Sequence, residues 1–292
     1  MRSTRPTAVL VALIGLLLLT GCSGLSSPSG PAARTGLQAE RVGAATRSTV
    51  RPVIHLAPRT AAQRAAAFRK WGVPLLRTAP RPPAMKTVRM SGGELPVISH
   101  VPTTQKVVFL TFDDGVAKDP QFVRMMTDLR LPFTMFLTDD FIKDDYGYFT
   151  PLSELGNSVE NHTLTHPDLR LKTPAEQRQE ICGQQDRLTA EYGTRPGLFR
   201  PPYGVFTAET RAAAQSCGGI RAVVLWRETM MIKSVVFPRG SGRHFRPGDI
   251  VLAHFRTPAQ LKGEETLTQM TAILLREIAR QGYTVGRLED YV

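Results

Sequence analysis

Cysteine is scarce: three residues in a chain of 292, too few for a scaffold built on disulfides. No apolar run reaches the roughly 20 residues of a comfortable membrane span; the run at 8–19 stops well short. No internal repeat is present, which excludes a solenoid or a propeller. Acidic residues are nearly missing from one part of the chain. Residues 23–105 hold twelve Lys and Arg against Glu40 and Glu94 alone, whereas residues 106–292 carry 23 of each sign. The net charge of +12 therefore belongs to the first third. A nucleic-acid-binding domain, the usual reading of such basicity, is not supported. The basic stretch suits an anionic membrane or wall surface, and equally a solvated tether.

The first two dozen residues read as an address. Residues 1–5 are basic, residues 8–19 have the length of a signal-peptide core, and Leu19-Thr20-Gly21-Cys22 follows. This ending resembles the lipobox of bacterial lipoproteins, which implies a signal peptide over 1–21 and a lipidated Cys22. Arg2 and Arg5 stand apart and do not form a twin-arginine signal. The expectation is an extracytoplasmic protein anchored to the bacterial cell membrane through its lipid. Residues 22–94, rich in Ser, Gly, Pro and Ala at their start, read as a basic and largely flexible linker with a possible short helix near 60–71. The folded domain is expected over 95–292. In an exported chain, Cys182 and Cys217 are either a disulfide or two buried thiols.

From there apolar runs alternate with helical patterns. Strands are predicted at 106–112, 133–137, 158–161, 198–200, 221–226, 249–254 and 283–285, and helices at 120–129, 149–155, 174–192 and 265–281. Repeated βα units imply an α/β fold with a mainly parallel sheet, as a barrel or a doubly wound layer. Functional groups in such folds gather at the carboxyl ends of the strands.

The unusual polar residues fall there. The first run, V-V-F-L-T-F-D-D-G at 107–115, ends in two adjacent carboxylates, Asp113 and Asp114. Two like charges leaving water together need compensation, most simply a cation. The third run leads into His162 and His166, and the fourth into Arg200-Pro201-Pro202-Tyr203-Gly204. The fifth ends at Trp226 and the sixth at His254. Histidines four apart share one side of a helical turn, and with Asp113 or Asp114 they would form a two-His, one-Asp metal set. The spacing lacks the glutamate that marks the common zinc-protease helix.

Together, Thr111-Phe112-Asp113-Asp114-Gly115, His162-x-x-x-His166, Arg200-Pro201-Pro202-Tyr203-Gly204 and Leu252-Ala253-His254 resemble four of the five motifs of the polysaccharide deacetylases, carbohydrate esterase family 4. The resemblance implies a distorted (β/α) barrel of about seven parallel strands. It also implies a metal-dependent hydrolase acting on C–N bonds other than peptide bonds, which removes N-acetyl groups from peptidoglycan or a chitin-like polymer by metal-activated water. By motif position, Asp114, His162 and His166 would hold a divalent ion, zinc in the first instance, with cobalt or another as alternatives. Asp113 would be the general base, Arg200 its ion-pair partner, His254 the general acid, and the Tyr203 backbone N–H an oxyanion donor. Trp226 and Leu252 would line the pocket for the acetyl methyl. The expected partners are the glycan and the membrane, with the protein itself a monomer.

The fifth motif fails to match. It places an aspartate shortly after a tryptophan, to fix the catalytic histidine, whereas Trp226-Arg227-Glu228-Thr229-Met230 has none. Glu228 is the nearest acid by sequence. Val116 stands where proline is frequent and Glu160 where glycine is usual. Two further readings follow from these departures: a glycan-binding or scaffolding lipoprotein with little turnover, and an esterase removing O-acetyl groups.

Overall fold

The computed structural model describes residues 57–90 and 92–292. The chain divides into units 1–46 and 47–292, and everything described lies in the second. The expected signal peptide, Cys22 and the first part of the linker lie outside the described residues. Among those described, no helix is long and apolar enough to cross a membrane.

The elements in chain order are helix α1 (Ala61–Lys70), strands β1 (Val97–Ile98) and β2 (Val107–Asp114), α2 (Pro120–Leu129), β3 (Thr134–Leu137), α3 (Asp139–Ile142) and α4 (Thr150–Glu154). Then come β4 (Ser158–Asn161), α5 (Pro174–Tyr192), β5 (Leu198–Phe199), α6 (Ala208–Ser216), β6 (Ala222–Val224), β7 (Glu228–Met230) and β8 (Val235–Val236). Strand β9 (Ile250–His254), α7 (Leu267–Arg280) and β10 (Thr284–Val285) complete the set.

The strands lie in the order β1-β6-β5-β4-β3-β2-β9-β7-β8. All pair in parallel except β7 with β8. Strands β6 and β7 sit near opposite ends of this order, yet only Leu225, Trp226 and Arg227 separate them in the chain. One pass of chain thus starts on β5 and finishes on β9, and the sheet closes on itself. The result is a distorted (β/α) barrel of seven parallel strands: β2, β3, β4, β5, β6, β7 and β9. Strand β10, expected as the seventh, instead flanks the start of β2.

Alternation along the strands separates two cores. Val107 and Phe109 of β2, Phe136 of β3, Leu198 of β5, Val224 of β6 and Ile250 of β9 fill the barrel, whose lower end is sealed by Leu288, Tyr291 and Val292. The intervening residues Val108, Leu110 and Phe112 face the helices. Helix α2 meets them with Phe122, Met125, Met126 and Leu129, all buried, the i, i+3, i+4, i+7 stripe of an amphipathic helix.

The described part of the segment read as linker is packed onto the barrel. Helix α1 opens with a capping box on Thr60 and Gln63 and buries Phe68, followed by Val73 and Leu76. Trp71 Nε1 and Lys70 Nζ both donate to Asp128 (2.8 and 2.7 Å). Thr87 and Val88 N–H donate to the Tyr291 carbonyl. The flexible reading fails for 57–90 because a strap needs only an occasional apolar anchor, which leaves its composition polar. Helix α6 escaped the sequence reading; its Thr207–Thr210 capping box was the available signal. It carries Cys217 at its end, joined to Cys182 of α5 by a disulfide with Cα atoms 4.9 Å apart.

Candidate active site

Asp113 and Asp114 close β2 and diverge because a strand sends neighbours to opposite faces. Asp113 continues the inward series of Phe109 and Thr111. It is buried, and Arg200 Nη1 donates to its Oδ1 at 2.6 Å. Asp114 would face the outer helices with Phe112, but its φ of 74° swings the carboxylate back over the barrel mouth. Its Oδ1 stands 3.6 Å from His162 Nε2 and 3.4 Å from His166 Nε2. Gly115 follows at φ 90°, where a Cβ would lie 2.5 Å from Ile142; no other residue fits this turn.

The two histidines do not share a helical turn. They lie in the irregular stretch after β4, and left-handed backbone at Thr163 (φ 70°) and His166 (φ 59°) folds them together. Asn161 holds the start of this loop: its Oδ1 accepts from Thr163 N, and its Nδ2 donates to the Ile181 carbonyl and Gln185 Oε1. Glu180 of α5 holds the far side through Thr165 N and Oγ1. Leu164 sits on Gly183 so closely that a Cβ there would come within 2.6 Å. Of the seven described non-glycine residues with positive φ, four are at this site: Asp114, Thr163, His166 and Tyr203. Such strain persists only where the surroundings impose it.

His162 Nδ1 lies 2.7 Å from the Arg200 carbonyl, so it carries the proton and Nε2 presents its lone pair to the cluster. Burial raises the Asp114 carboxyl, but the nearby imidazoles of His162, His254 and His166 outweigh it and hold its pKa below the usual range. Burial opposes charge on His162, yet Asp113 and Asp114 bring its pKa above the ordinary value. Burial and the adjacent His162 lower that of His166. Asp114, His162 and His166 offer ligand atoms within 4.8 Å of one another, and Asp114 Oδ1 is buried without a hydrogen-bond partner. An orphaned carboxylate oxygen facing two imidazole nitrogens fits a divalent ion of the zinc type.

Arg200 is wholly buried at the break between β6 and β7. Its Nε donates to the Val224 carbonyl, Nη2 to that of Leu225, and Nη1 to Thr111 Oγ1 and Asp113. The guanidinium lies over Phe136 at 4.2 Å and near Trp226 at 5.6 Å. Burial lowers its pKa while Asp113 opposes the shift. Trp226 also covers Gly204, where a Cβ would come within 2.7 Å of the indole. The exposed Tyr203 ring stacks edge-on against His166 at 4.7 Å. Leu252 and His254 follow Ile250 on the inward face of β9 and pair with Thr111 and Asp113 of β2.

The structure thus brings Asp113, Asp114, His162, His166, Arg200, Tyr203, Trp226, Leu252 and His254 to one rim. Burial, more than the flanking charges, lowers the pKa of His254, and its Nδ1 is buried with no partner. Glu228 does not supply one. It sits opposite Val251 and beside Asp249, one residue before β9, roughly 16 Å from the strand's other end at a rise near 3.3 Å per residue. Glu160 turns away from the site as well; it is buried and accepts from Gly197 and Leu198 N–H (2.7 and 2.6 Å). Burial and Glu289 push its pKa up to about 8. Thr111, Phe136, Asn161 and Glu180 support the site without having been singled out from the sequence. Of these only Thr111 carried a signal, as the first residue of T-F-D-D-G.

A family model described as polysaccharide deacetylase matches residues 100–222. An uncharacterised Streptomyces coelicolor protein is 44% identical over 198 residues, 68% of this chain and 77% of that one. A chitooligosaccharide deacetylase of a Bradyrhizobium strain is 32% identical over 54% of this chain and 73% of its own length. Among solved structures, that of Bacillus subtilis PdaA, a family 4 carbohydrate esterase, superposes with a TM-score of 0.54 at 20% identity, covering 72% of this chain and 97% of the other.

Proposed function

Because the chain belongs to the polysaccharide deacetylase family, we propose that it hydrolyses N-acetyl groups on an envelope glycan, peptidoglycan or a chitin-like polymer. The observation that carries this reading is the buried Arg200–Asp113 pair, 2.6 Å apart, beside a separate Asp114–His162–His166 cluster. A protein that only held a cation would need the cluster and not the second, arginine-clamped carboxylate.

Asp114, His162 and His166 would hold a divalent ion, zinc or cobalt among those that suit the donor set. Bound there, the ion supplies Lewis acidity toward the acetamide carbonyl and acidifies water. Asp113, aimed by Arg200, takes the proton of the attacking water. As the oxygen–carbon bond forms, the Tyr203 backbone N–H donates to the developing oxyanion. Leu252 and Trp226 enclose the methyl group. His254, across the mouth, protonates the departing nitrogen as the C–N bond breaks, leaving acetate and a free amine.

The partnerless Nδ1 of His254 favours one second reading, O-acetyl ester hydrolysis, since an alkoxide leaves with less help from an acid than an amine does. The address rests on the first 22 residues of the sequence alone: removal of a signal peptide, lipidation of Cys22 and an enzyme tethered outside the cell membrane. Acetate release by the metal-loaded full chain from peptidoglycan fragments and chitin oligomers, beside Asp113→Asn, tests the proposal. Release by the native chain alone supports it. Release by neither, or only from O-acetylated sugars, overturns it.

A further inference from the structure

Two residues beyond His254 stands Arg256. Phe255 N donates to the Asp113 carbonyl (3.2 Å), and the Phe255 carbonyl accepts from Ala117 N (3.0 Å), so the chain stays paired to the β2 side past the end of β9. An extended course returns every second side chain to one face, which places Arg256 next to His254 on the rim; its charge is felt at that imidazole. The Arg256 Nε is buried and has no hydrogen-bond partner. Among the described residues the guanidinium joins no ion pair, although other cations do: Arg200 with Asp113, Arg227 with Asp249 and Lys233 with Glu264.

Arg256 lines a cavity of about 370 Å³ between residues 116–119 and the loop that leads into α7. Its walls include Val116, Ala117, Pro258, Leu261 and Leu267. The other charges there have tasks or stand apart. Lys118 Nζ donates to the Gly115, Val116 and Phe141 carbonyls. Asp119 caps α2 through Gln121 N. Glu265 lines the cavity without pairing with Arg256. A cation left part-desolvated and unmatched is costly, and one beside a candidate catalytic acid has an evident use in recognition.

We propose that this cavity takes the carboxylate-bearing arm of an acidic N-acetyl sugar, a lactic acid ether of the muramic type. Arg256 pairs with the carboxylate, and the apolar walls receive the methyl of the arm. Arg256 is then a specificity-determining residue that selects such sugars over uncharged N-acetylglucosamine. This rests on the glycan deacetylase reading and names the sugar that the same site prefers.

The test is binding by the metal-loaded full chain carrying Asp113→Asn, so that turnover does not intervene. Calorimetry compares an N-acetylglucosamine–N-acetylmuramic acid disaccharide with its lactyl methyl ester. The acid is expected to bind about 10–100-fold more tightly, the range of a charge-assisted bond. Adding Arg256→Gln is expected to abolish the preference, and Arg256→Lys to restore part of it. Equal binding of acid and ester in the parent overturns the proposal without any need for the arginine variants, as does a preference that survives Arg256→Gln. Acetate release from chitin oligomers by the native chain separates the two readings. Release together with an acid–ester tie removes the pocket and keeps the deacetylase; no release together with an acid preference keeps the pocket and removes the chemistry.

Discussion

The Arg200 guanidinium donates at once to Asp113 and to the carbonyls of Val224 and Leu225. One side chain therefore orients the proposed general base and bridges the break at which the barrel changes neighbours, from β5 to β9.

Arg200→Met should accordingly fail on two measurements. It strands the buried Asp113 carboxylate and leaves two carbonyls without a donor, at a cost of about 3–5 kcal/mol. Urea denaturation reads that loss and acetate release reads the chemistry. A variant of native stability would show that the seam closes without the arginine.

Asp113→Asn keeps all three candidate ligands and removes the base. Metal content by mass spectrometry should be unchanged while turnover falls about 100- to 10,000-fold. Asp114→Ala and His166→Ala should each lower metal content sharply, because each deletes one of three ligand atoms. Full occupancy in both would dissolve the proposed set.

Gly183→Ala probes the histidine loop from a distance. The added methyl meets Leu164 at 2.6 Å, and Leu164 lies between the two histidines in the chain. Metal affinity should drop about tenfold or more, the scale of outer-shell losses, with both histidines still present. Unaltered affinity would mean that Leu164 yields without moving its neighbours.

Glu228 sets a pH dependence. Burial and then Asp249 raise its pKa well above the ordinary carboxylate range, so the folded chain binds a proton that the unfolded chain releases above about pH 4.3. This contribution is fully present below that pH and is lost as pH rises through the raised folded value. Glu228→Gln retains an uncharged donor for Asp249 without the titration. Its urea midpoint should fall less between pH 6 and 9 than that of the native chain. Parallel profiles would place the buried proton elsewhere.

The Cys182–Cys217 bridge spans 35 residues and ties α5, which carries Glu180 and Gly183, to the end of α6. Opening it by Cys217→Ser should cost about 4 kcal/mol by the chain-entropy estimate for a loop of that length, read as a lowered unfolding midpoint. A midpoint within experimental error of the native one would show that packing alone holds the two helices.

Much of this architecture was legible in the sequence because burial on both faces writes itself as continuous apolar runs: β2, β3 and β9 were read nearly to their ends. The rim followed, since carboxylates and imidazoles at the ends of buried runs are costly to keep unless they serve chemistry there. What escaped depended on contacts between distant segments. Strand β7 carries a glutamate paired with Asp249, and no run marks it. The convergence of His162 and His166 comes from left-handed backbone at Thr163 and His166, which spacing alone misread as a helical turn. The strap over 57–90 looked like linker because Phe68, Val73 and Leu76 are its few anchors in the main core.

That strap has a consequence for synthesis. Arg77 accepts from Thr284 Oγ1, Thr87 and Val88 donate to the Tyr291 carbonyl, and Lys86 reaches the Val292 carbonyl. These partners emerge from the ribosome some two hundred residues after it does. Contacts of such sequence separation form late, so a nascent chain halted before α7 has the hold of Trp71 and Lys70 on Asp128 but neither the floor of its barrel nor the partners that fix the second half of its strap.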